Sequence, residues 1–423
     1  MKTIGLTVVV LVLAGCSSNP TSSSGPPPPA ATSLVLSGLT CCVTIGAPAA
    51  VTVSAQDASG HPVATYVGTI NFTSSDVAAA LPANYTFLGA DAGIHGFAVT
   101  FERVGSQTLT ATDVRTSSIR GSATVSVTPT LFVANAQTFT VTGYAAGTNG
   151  NVAPAVAIVG LNTNLDIPLG IARDTAGRIY VVNHGTNSIL VYAPGDTGNA
   201  TPVNTIMGAN TGLDIPWGCA LDGAGRLYVV NYNPNTSASS ITVYAAGATG
   251  NATPIATIAG SNTGLYFPEG IAVDAGGRFL YVTNVLNSLT VSVNAIMVYA
   301  AGASGNAAPS DSIAGDKTGL SSPSAIALDA AGRIYVANGN GTVTVYPAGA
   351  SGNVAPLDSI GGTNTGLSFP SGIALDPVGH FLYVANYSGS ITVYRPGATG
   401  NAAPVDTIVG SSTGLYGPSY ITF

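Results

Sequence analysis

Hydrophobic and polar residues follow two different patterns along the chain, and the change comes at residue 130. Residues 33–129 hold short β-branched runs in which apolar and polar positions alternate, such as AAVTVSAQD and QTLTATD. This period of two predicts half-buried strands, and the Gly, Pro, Asn and Asp residues between the runs predict turns. Short strands of this kind are typical of an antiparallel sandwich. We therefore expect an all-β first domain over residues 33–129.

The pattern from residue 130 onward is a repeat of roughly 48 residues. Each unit opens with a proline and carries four short apolar runs, which we name strands A to D in chain order. Runs such as Tyr180-Val181-Val182 do not alternate, as expected for a sheet that is buried on both faces. A four-stranded repeat of this kind is typical of a propeller blade. The opening prolines are Pro168, Pro216, Pro268, Pro323, Pro370 and Pro418.

The two ends of the repeat region complement each other. The chain enters with B, C and D strands (LFVAN, FTVTGYA and AVAIV) and ends with a single A strand, PSYITF. We therefore predict a six-bladed β-propeller over residues 130–423, closed by one C-terminal strand that joins three N-terminal strands.

Two family resemblances accompany these patterns. The unit P-x-G-I-A-x-D-x-x-G-R-I-Y-V-x-N, followed by I-x-V-Y-x-x-G-x-x-G-N, resembles the six-bladed propellers of the NHL-repeat superfamily and, more distantly, gluconolactonase-like propellers. The stretch VTVSAQDASGHPVATYVGTINFTSSD resembles bacterial immunoglobulin-like domains of the invasin type. That second resemblance implies an immunoglobulin-like sandwich over residues 33–129, acting as a spacer or an adhesive unit.

The first 32 residues predict where the protein is located. Lys2 and the apolar run from Ile4 to Leu13 have the form of an export signal over residues 1–15, too short to span a bilayer as a mature helix. Leu13-Ala14-Gly15-Cys16 resembles the bacterial lipobox, which implies cleavage before Cys16 and lipidation of its sulfur. Residues 16–32 are rich in Pro and Ser and predict a tether. We expect an exported lipoprotein, anchored in the outer membrane or at the cell surface.

Composition narrows the set of partners. Only 7% of the residues are charged, with 11 basic and 18 acidic side chains, so the cationic footprint that nucleic acid requires is missing. The lipid anchor is the expected contact with the membrane, and we expect a monomer. Cys41 and Cys42 are adjacent, and their redox state stays open. Cys219 replaces Ile or Ala of sister repeats, which predicts a buried thiol.

One end of the propeller carries the asymmetry that a binding site needs. Strand direction brings the D–A and B–C loops together at that end. The only Trp, Trp217, and the only Glu of the propeller, Glu269, follow the opening prolines of neighbouring units. The B–C loops of the same two units, 232–240 and 285–295, are long. We predict a binding face here; the alternative is that Trp217 plugs the central channel and the loops have no ligand.

Each B strand ends in Asn, and some of the residues that follow are also candidates. A capping role in the B–C turn is the structural alternative for these amides. The candidate binding residues are Trp217, Glu269, Asn183, His184, Asn231, Tyr232, Asn284, Asn338, Asn386 and Tyr387.

Two enzymatic alternatives follow from resemblance alone. Gluconolactonase-like propellers hold a divalent cation with Glu, Asn and Asp near the channel, and Glu269 in FPEG resembles that glutamate. Ser324, Ser371 and Ser419 stand where a channel-mouth Asp would be needed, however. Streptogramin-lyase-type propellers use a His base, but His184 has no second His or acid in matching positions. We therefore predict no cofactor, with calcium as the alternative, and no catalytic residue.

The sequence thus favours a membrane-anchored extracytoplasmic binding module for a carbohydrate or a surface protein. A metal-dependent lactonase or hydrolase is the alternative function, and a purely structural role in surface packing or adhesion is a third.

Overall fold

The computed structural model describes residues 30–39, 42–233, 238–287 and 292–423. The predicted signal peptide, Cys16, most of the tether and Cys41 lie outside the described residues. In the described part the chain is all β, without α-helix, and has three 3₁₀ turns at Gly89–Asp91, Leu161–Thr163 and His184–Thr186.

The first domain contains two sheets that pack around one core. Its strands are β1 Ser33–Ser37, β2 Cys42–Thr44, β3 Pro48–Gln56, β4 Thr69–Ser74, β5 Tyr85–Thr86, β6 Ile94–Thr100, β7 Gly105–Asp113 and β8 Arg120–Thr128. One sheet has the order β1-β3-β6 and the other β2-β8-β7-β4-β5. Alternating inward residues of both sheets, such as Val53 and Leu109, form the core, as the period of two predicts. The β2–β8 pair is parallel, which the prediction of an antiparallel sandwich did not include.

The described residues from 130 onward form six four-stranded antiparallel sheets. Their strands are β9 Thr130–Asn135, β10 Thr140–Ala145, β11 Val156–Ile158, β12 Pro168–Arg173, β13 Ile179–Asn183, β14 Ser188–Tyr192, β15 Asn204–Ile206, β16 Pro216–Leu221, β17 Leu227–Asn233, β18 Ala238–Tyr244, β19 Ala256–Ala259, β20 Phe267–Val273, β21 Phe279–Asn287, β22 Ser292–Ala300, β23 Asp311–Ala314, β24 Pro323–Leu328, β25 Ile334–Asn338, β26 Thr342–Tyr346, β27 Asp358–Gly361, β28 Pro370–Leu375, β29 Leu382–Asn386, β30 Ser390–Tyr394, β31 Asp406–Val409 and β32 Pro418–Thr422. Sheet I is β11-β10-β9-β32, and sheets II to VI are β12–β15, β16–β19, β20–β23, β24–β27 and β28–β31.

The sheets are arranged around an axis. Their inner strands contact one another in the order β12, β16, β20, β24, β28 and β32, and β32 contacts β12. Six hydrophobic clusters lie between the sheets, and each takes side chains from two neighbouring sheets. Because both faces of every sheet are buried in this way, the strands need the continuous apolar runs seen in the sequence. The architecture is that of a β-propeller.

An Asn side chain links each sheet to the next. After each D strand the chain turns at a glycine with φ between +125° and +134°, such as Gly160, and a Cβ there would collide with an Asn of the following sheet. That Asn accepts a hydrogen bond from the backbone two residues after the glycine. The pairs are Asn199 with Asn162, Asn251 with Asn210, Asn306 with Asn262, Asn353 with Lys317, Asn401 with Asn364, and Asn151 with Ser412, at 2.7 to 2.9 Å. The recurrent G-x-x-G-N motif is therefore a contact between sheets.

Candidate functional site

The D–A and B–C connections of each sheet are tied together at one end of the propeller. In sheets I, II, III, V and VI, the backbone N–H of the residue after the recurrent B-strand Asn donates to the carbonyl of the residue before the opening proline. Tyr387 donates to Phe369 at 3.0 Å and His184 to Ile167 at 3.2 Å. Ile167 and Phe369 have φ of +49° and +51°, a left-handed conformation that costs a non-glycine residue about 1–2 kcal/mol. The loops of this face are thus held in a defined and partly strained geometry.

The recurrent Asn residues of the B strands are buried and hold the D–A connections by hydrogen bonds. Asn183, Asn231, Asn284, Asn338 and Asn386 are at most 1% exposed. Each accepts, through Oδ1, a hydrogen bond from the backbone two residues before the opening proline, as in Asp166 to Asn183 at 2.6 Å. Their Nδ2 groups donate to carbonyls or to hydroxyls of the C strands. Both polar groups of each amide thus have hydrogen-bond partners inside the fold, so a ligand on this face would contact the residues that follow these Asn residues.

The sixth of these Asn residues, Asn135 in sheet I, differs from the other five. Its Nδ2 donates to Thr142 at 3.0 Å, but its buried Oδ1 has no partner within the described residues. By the register of the other sheets, the missing donor is the backbone N–H of Tyr416, two residues before Pro418. The loop that carries Tyr416 therefore lacks the side-chain tie that its five counterparts have.

Trp217 and His184 meet near the channel mouth. Their ring centroids are 5.4 Å apart with the planes at 76°, and the Nδ1 of His184 donates to the carbonyl of Pro216 at 3.1 Å. The indole Nε1 of Trp217 is buried, and it lacks a hydrogen-bond partner in the described part of the chain. The structure thus brings these two candidates together, but His184 is occupied by a backbone contact rather than by an acid.

The residue that spans the central channel is Tyr420, which the sequence prediction missed. It stands in sheet I at the position held by Gly170, Gly218, Gly270 and Gly372 in other units. Those glycines lie where inner strands approach closely; a Cβ on Gly170 would be 2.5 Å from the carbonyl oxygen of Trp217. The hydroxyl of Tyr420 donates to the carbonyl of Ser324 in sheet V at 3.0 Å. Tyr420 thus connects the inner strands of sheets I and V, while the interpretation of Trp217 as a channel plug stays a prediction.

Glu269 lies beside this crossing residue. Burial raises the pKa of its carboxyl from 4.5 to about 7. The carboxylate has neither a hydrogen bond nor an ion pair among the residues described, and its charge contributes, after burial, to the raised pKa of Tyr420. Cys219 is another neighbour of Tyr420; its thiol is free and buried, as predicted, and burial raises its pKa to about 12.

The surroundings of Glu269 do not fit a divalent cation. Hard cations need several oxygen ligands, usually with more than one carboxylate. The nearby amide oxygen of Asn284 already accepts from the N–H of Tyr266 at 2.8 Å, and Ser324 donates its hydroxyl to the carbonyl of Pro370 at 2.7 Å. Across residues 30–39, 42–233, 238–287 and 292–423, no group of three or more His, Cys, Asp or Glu side chains has the spacing of a metal site.

The two long B–C connections are mostly strand rather than loop. In sheet III, β17 and β18 extend their pairing to Asn233 opposite Ala238, and in sheet IV, β21 and β22 extend to Asn287 opposite Ser292. The expectation of loops over 232–240 and 285–295 is corrected accordingly, and 234–237 and 288–291 lie outside the described residues. Tyr232 is buried against Phe267, with centroids 4.2 Å apart.

A different group of aromatic side chains is open to solvent. Phe369, Tyr387 and Tyr416 are 69%, 45% and 49% exposed, and they line one cavity of about 560 Å³ between sheets VI and I. The other lining residues are Gln137, Ser388, Gly389, Gly410, Ser411, Leu415 and Gly417. Among the sequence candidates only Tyr387 belongs to this cavity. Aligning the repeats does not single out Tyr416 and Phe369, since another unit carries Tyr266 and Phe267 at the same positions; the exposure seen in the structure sets them apart.

The opposite end carries the recurrent charges. Asp174, Asp222 and Asp329 pair with the Arg four residues later at 2.6 to 2.7 Å, as in Asp174–Arg178. In the fifth unit the positive φ is at His380 (+56°) and not at Gly379. Exposed pairs of this kind contribute little to stability, about 0–1 kcal/mol, and they serve the turn geometry.

Within the described residues, no helix is long and apolar enough to cross a membrane.

Comparison with known proteins supports the fold. A family model described as a lactonase with a seven-bladed β-propeller matches residues 310–419, about a quarter of the chain. No curated protein matches. A solved protein of unknown function from Bacteroides caccae has a TM-score of 0.50 and 12% identity, over 69% of this chain and 97% of that one. A chain of the nidogen/laminin complex has a TM-score of 0.49 and 16% identity, over 70% of this chain and 98% of that one. The sheets and the family match agree on one statement: the repeat region of this chain is a β-propeller.

Proposed function

We propose that this protein is an extracytoplasmic binding module whose ligand, a carbohydrate or a surface protein, docks on the face formed by the D–A and B–C connections. The observation that carries the proposal is the set of large apolar and aromatic side chains exposed there. Phe369, Tyr387 and Tyr416 are each more than 40% exposed on this one end. Exposed apolar side chains scattered singly are normal in a soluble protein, but several on one face mark a contact surface.

The distribution of charge supports the same face. Asp–Arg pairs lie at the A–B turns of the other end, where they stabilise turns. The cavity between sheets VI and I, in contrast, is lined without a charged residue. A neutral aromatic surface suits uncharged or mixed ligands better than ionic ones.

The proposal also includes a membrane anchor, a tether and a spacer role for the first domain. Cys16 would carry the lipid, residues 16–32 would act as a tether, and the first domain, as an immunoglobulin-like spacer, would hold the propeller away from the membrane. The support is the lipobox-like sequence and the two-sheet packing of residues 33–129.

We also propose that the six sheets are the complete ring of blades, although the matching family is described as seven-bladed. Supporting this, β32 pairs with β9, with Pro418 opposite Asn135. In addition, Asn151 of sheet I accepts from Ser412, which follows the last D strand. A seventh sheet between these elements would have to break both contacts.

The test blocks one end of the propeller at a time. Cys41 and Cys42 are replaced by Ser, and a single new Cys is placed at exposed Asn340 in a B–C turn or at exposed Ala330 in an A–B turn. Each full-length protein is coupled to a bulky polyethylene glycol. Binding is measured on immobilised neutral glycans and on purified cell-surface proteins. The proposal expects loss of binding with the Asn340 conjugate and retention with the Ala330 conjugate; the reverse pattern would refute the assigned face.

The alternative function, a metal-dependent lactonase, is favoured by the family match over residues 310–419. Its test is calcium titration calorimetry on the protein and on Glu269→Gln, with a panel of sugar lactones. One calcium site per chain that is lost in the variant, together with lactone hydrolysis, would replace the binding proposal by the enzymatic one.

A further inference from the structure

The cavity between sheets VI and I is the most open aromatic site on the binding face. We infer that it binds a neutral oligosaccharide, with Phe369, Tyr387 and Tyr416 as stacking surfaces and Gln137, Ser388 and Ser411 as hydrogen-bonding partners. This inference rests on the proposed function and deepens it by naming the ligand class and the residues.

The aromatic rings of this cavity are not used inside the fold. The face contains a second aromatic group, Tyr232, Tyr266 and Phe267, whose rings pack on one another at 4.2 and 4.8 Å. Among the described residues, Phe369, Tyr387 and Tyr416 make no such ring contact, and about half or more of each side chain faces solvent. The rings of Tyr232, Tyr266 and Phe267 are therefore structural, while those of Phe369, Tyr387 and Tyr416 present free faces.

The position of Phe369 strengthens this distinction. The residue before the opening proline has a positive φ in five of the six units, and Gly417 fills it in sheet I without strain. The other four positive-φ positions hold Ile167, Ile215, Ser322 and Gly417, so Phe369 is the one aromatic residue among the five. Phe369 bears the cost of the left-handed backbone, about 1–2 kcal/mol, although 69% of the residue stays exposed. Contact with a ligand would explain an aromatic ring at that place.

The chemistry of the lining favours a sugar over a peptide. The C–H groups on the face of a pyranose ring are slightly positive, and they lie well on the negative face of an aromatic ring. Sugar hydroxyls both donate and accept hydrogen bonds. The exposed amide of Gln137 and the hydroxyls of Ser388 and Ser411 can do the same. A proline-rich peptide would also stack on aromatic rings, but it offers almost only acceptors.

The size and charge of the site fit the same ligand. A cavity of about 560 Å³ lies within the usual range of about 300–1,000 Å³ for small-molecule sites. None of its lining residues is charged, so acidic sugars would have no counter-ion there.

The experiment titrates the full-length protein with cellohexaose, maltohexaose, xylohexaose and chitohexaose by calorimetry. The variants are Phe369→Ala and Tyr387→Ala. Phe139→Ala is the matched control, because Phe139 is also an aromatic residue with positive φ (+55°) and is 43% exposed on the same face, but it does not line the cavity. Tyr387→Phe keeps the ring and removes the hydroxyl.

We expect at least one of these glycans to bind, with affinity at least tenfold weaker in Phe369→Ala and Tyr387→Ala. Affinity should be unchanged in Phe139→Ala and nearly unchanged in Tyr387→Phe. Oligogalacturonate of similar length should bind more weakly than the neutral glycans. Far-ultraviolet circular dichroism establishes that each variant is folded.

Three results would overturn the inference: no binding of any neutral glycan, binding that is insensitive to Phe369→Ala and Tyr387→Ala, or tighter binding of a synthetic peptide of residues 20–32 than of any glycan. The first of these leaves the proposed face intact if surface proteins still bind and the Asn340 conjugate still blocks them. The failure of the cavity and the failure of the binding face can therefore be told apart.

Discussion

Replacing Glu269 by Gln tests the electrostatics of the channel. The folded protein holds this carboxyl at a pKa of about 7, against 4.5 for the ordinary group, and burial is the cause. A shift of this size corresponds to about 3 kcal/mol of preference for the protonated form in the folded state. Because the pKa is raised on folding, the contribution to stability is complete below pH 4.5 and is lost as the pH rises through 7. Gln cannot ionise, so the variant should lose this dependence.

The measurement is urea denaturation at pH 5 and at pH 8.5, followed by tryptophan fluorescence. Trp217 is the only Trp of the chain and lies in the propeller, so the signal reports the unfolding of that domain. At pH 5 we expect the two proteins to agree within about 1 kcal/mol, since both then carry a neutral side chain. At pH 8.5 we expect Glu269→Gln to be more stable by about 2–3 kcal/mol.

The control is Glu102→Gln, which makes the same chemical change at the only other Glu, an exposed residue of the first domain. Its unfolding midpoint by tryptophan fluorescence should match that of the parent at both pH values. A Glu269→Gln protein that gains no stability at pH 8.5 would refute the burial argument. So would a parent whose stability is the same at pH 5 and pH 8.5.

Three further predictions concern the ring and the channel. Asn151→Ala and Asn251→Ala each remove one hydrogen bond between sheets, so each should lower the free energy of unfolding by about 1 kcal/mol; a silent Asn151→Ala beside a destabilising Asn251→Ala would show that the ends do not meet. Tyr420→Gly should let water reach Glu269 and reduce the gain from Glu269→Gln at pH 8.5, which the same urea titrations measure; an undiminished gain would exclude Tyr420 as the cover. In a chain with Ser at positions 41 and 42, the buried Cys219 thiol should react with an aromatic disulfide reagent at pH 8 only after unfolding, and a fast reaction in the folded protein would contradict its burial.

The repeat made much of the fold predictable. The continuous apolar runs indicated sheets buried on both faces, and the structure has a four-stranded sheet for each repeat unit. The length of the B–C hairpins was harder to predict from the sequence. Asn233 and Asn287 are as compatible with a loop as with a strand, and the cross-strand pairing in the structure shows that they belong to strands. The parallel β2–β8 pair was missed for the same reason: residues 42–44 form too short a run to carry a period.

The candidate site was less predictable than the fold, since exposure depends on tertiary neighbours. Tyr232 and Tyr387 follow equivalent Asn residues and look alike in sequence. Phe267 covers the first ring, while no ring covers the second within the described part of the structure. Likewise, a recurrent Asn in the B strands is compatible with a turn-capping role and with a role in ligand binding. Which role it takes depends on whether a backbone N–H of another loop, such as that of Asp166, donates to its side chain.

Departures from the repeat separate structure from function more sharply than the recurrent residues do. A residue present in every unit, such as the Asn that links each sheet to the next (Asn199 and its counterparts), has a structural role in the propeller. Tyr420 stands where four other units have a glycine at a close approach of inner strands. Phe369 is the one aromatic residue among the five positive-φ positions before the opening prolines. The contacts of each side chain indicate its role. Tyr420 reaches across to Ser324 and covers the channel, which accounts for it within the fold. Phe369 is 69% exposed and lines the cavity between sheets VI and I, and the oligosaccharide proposed for that cavity would give its ring a partner.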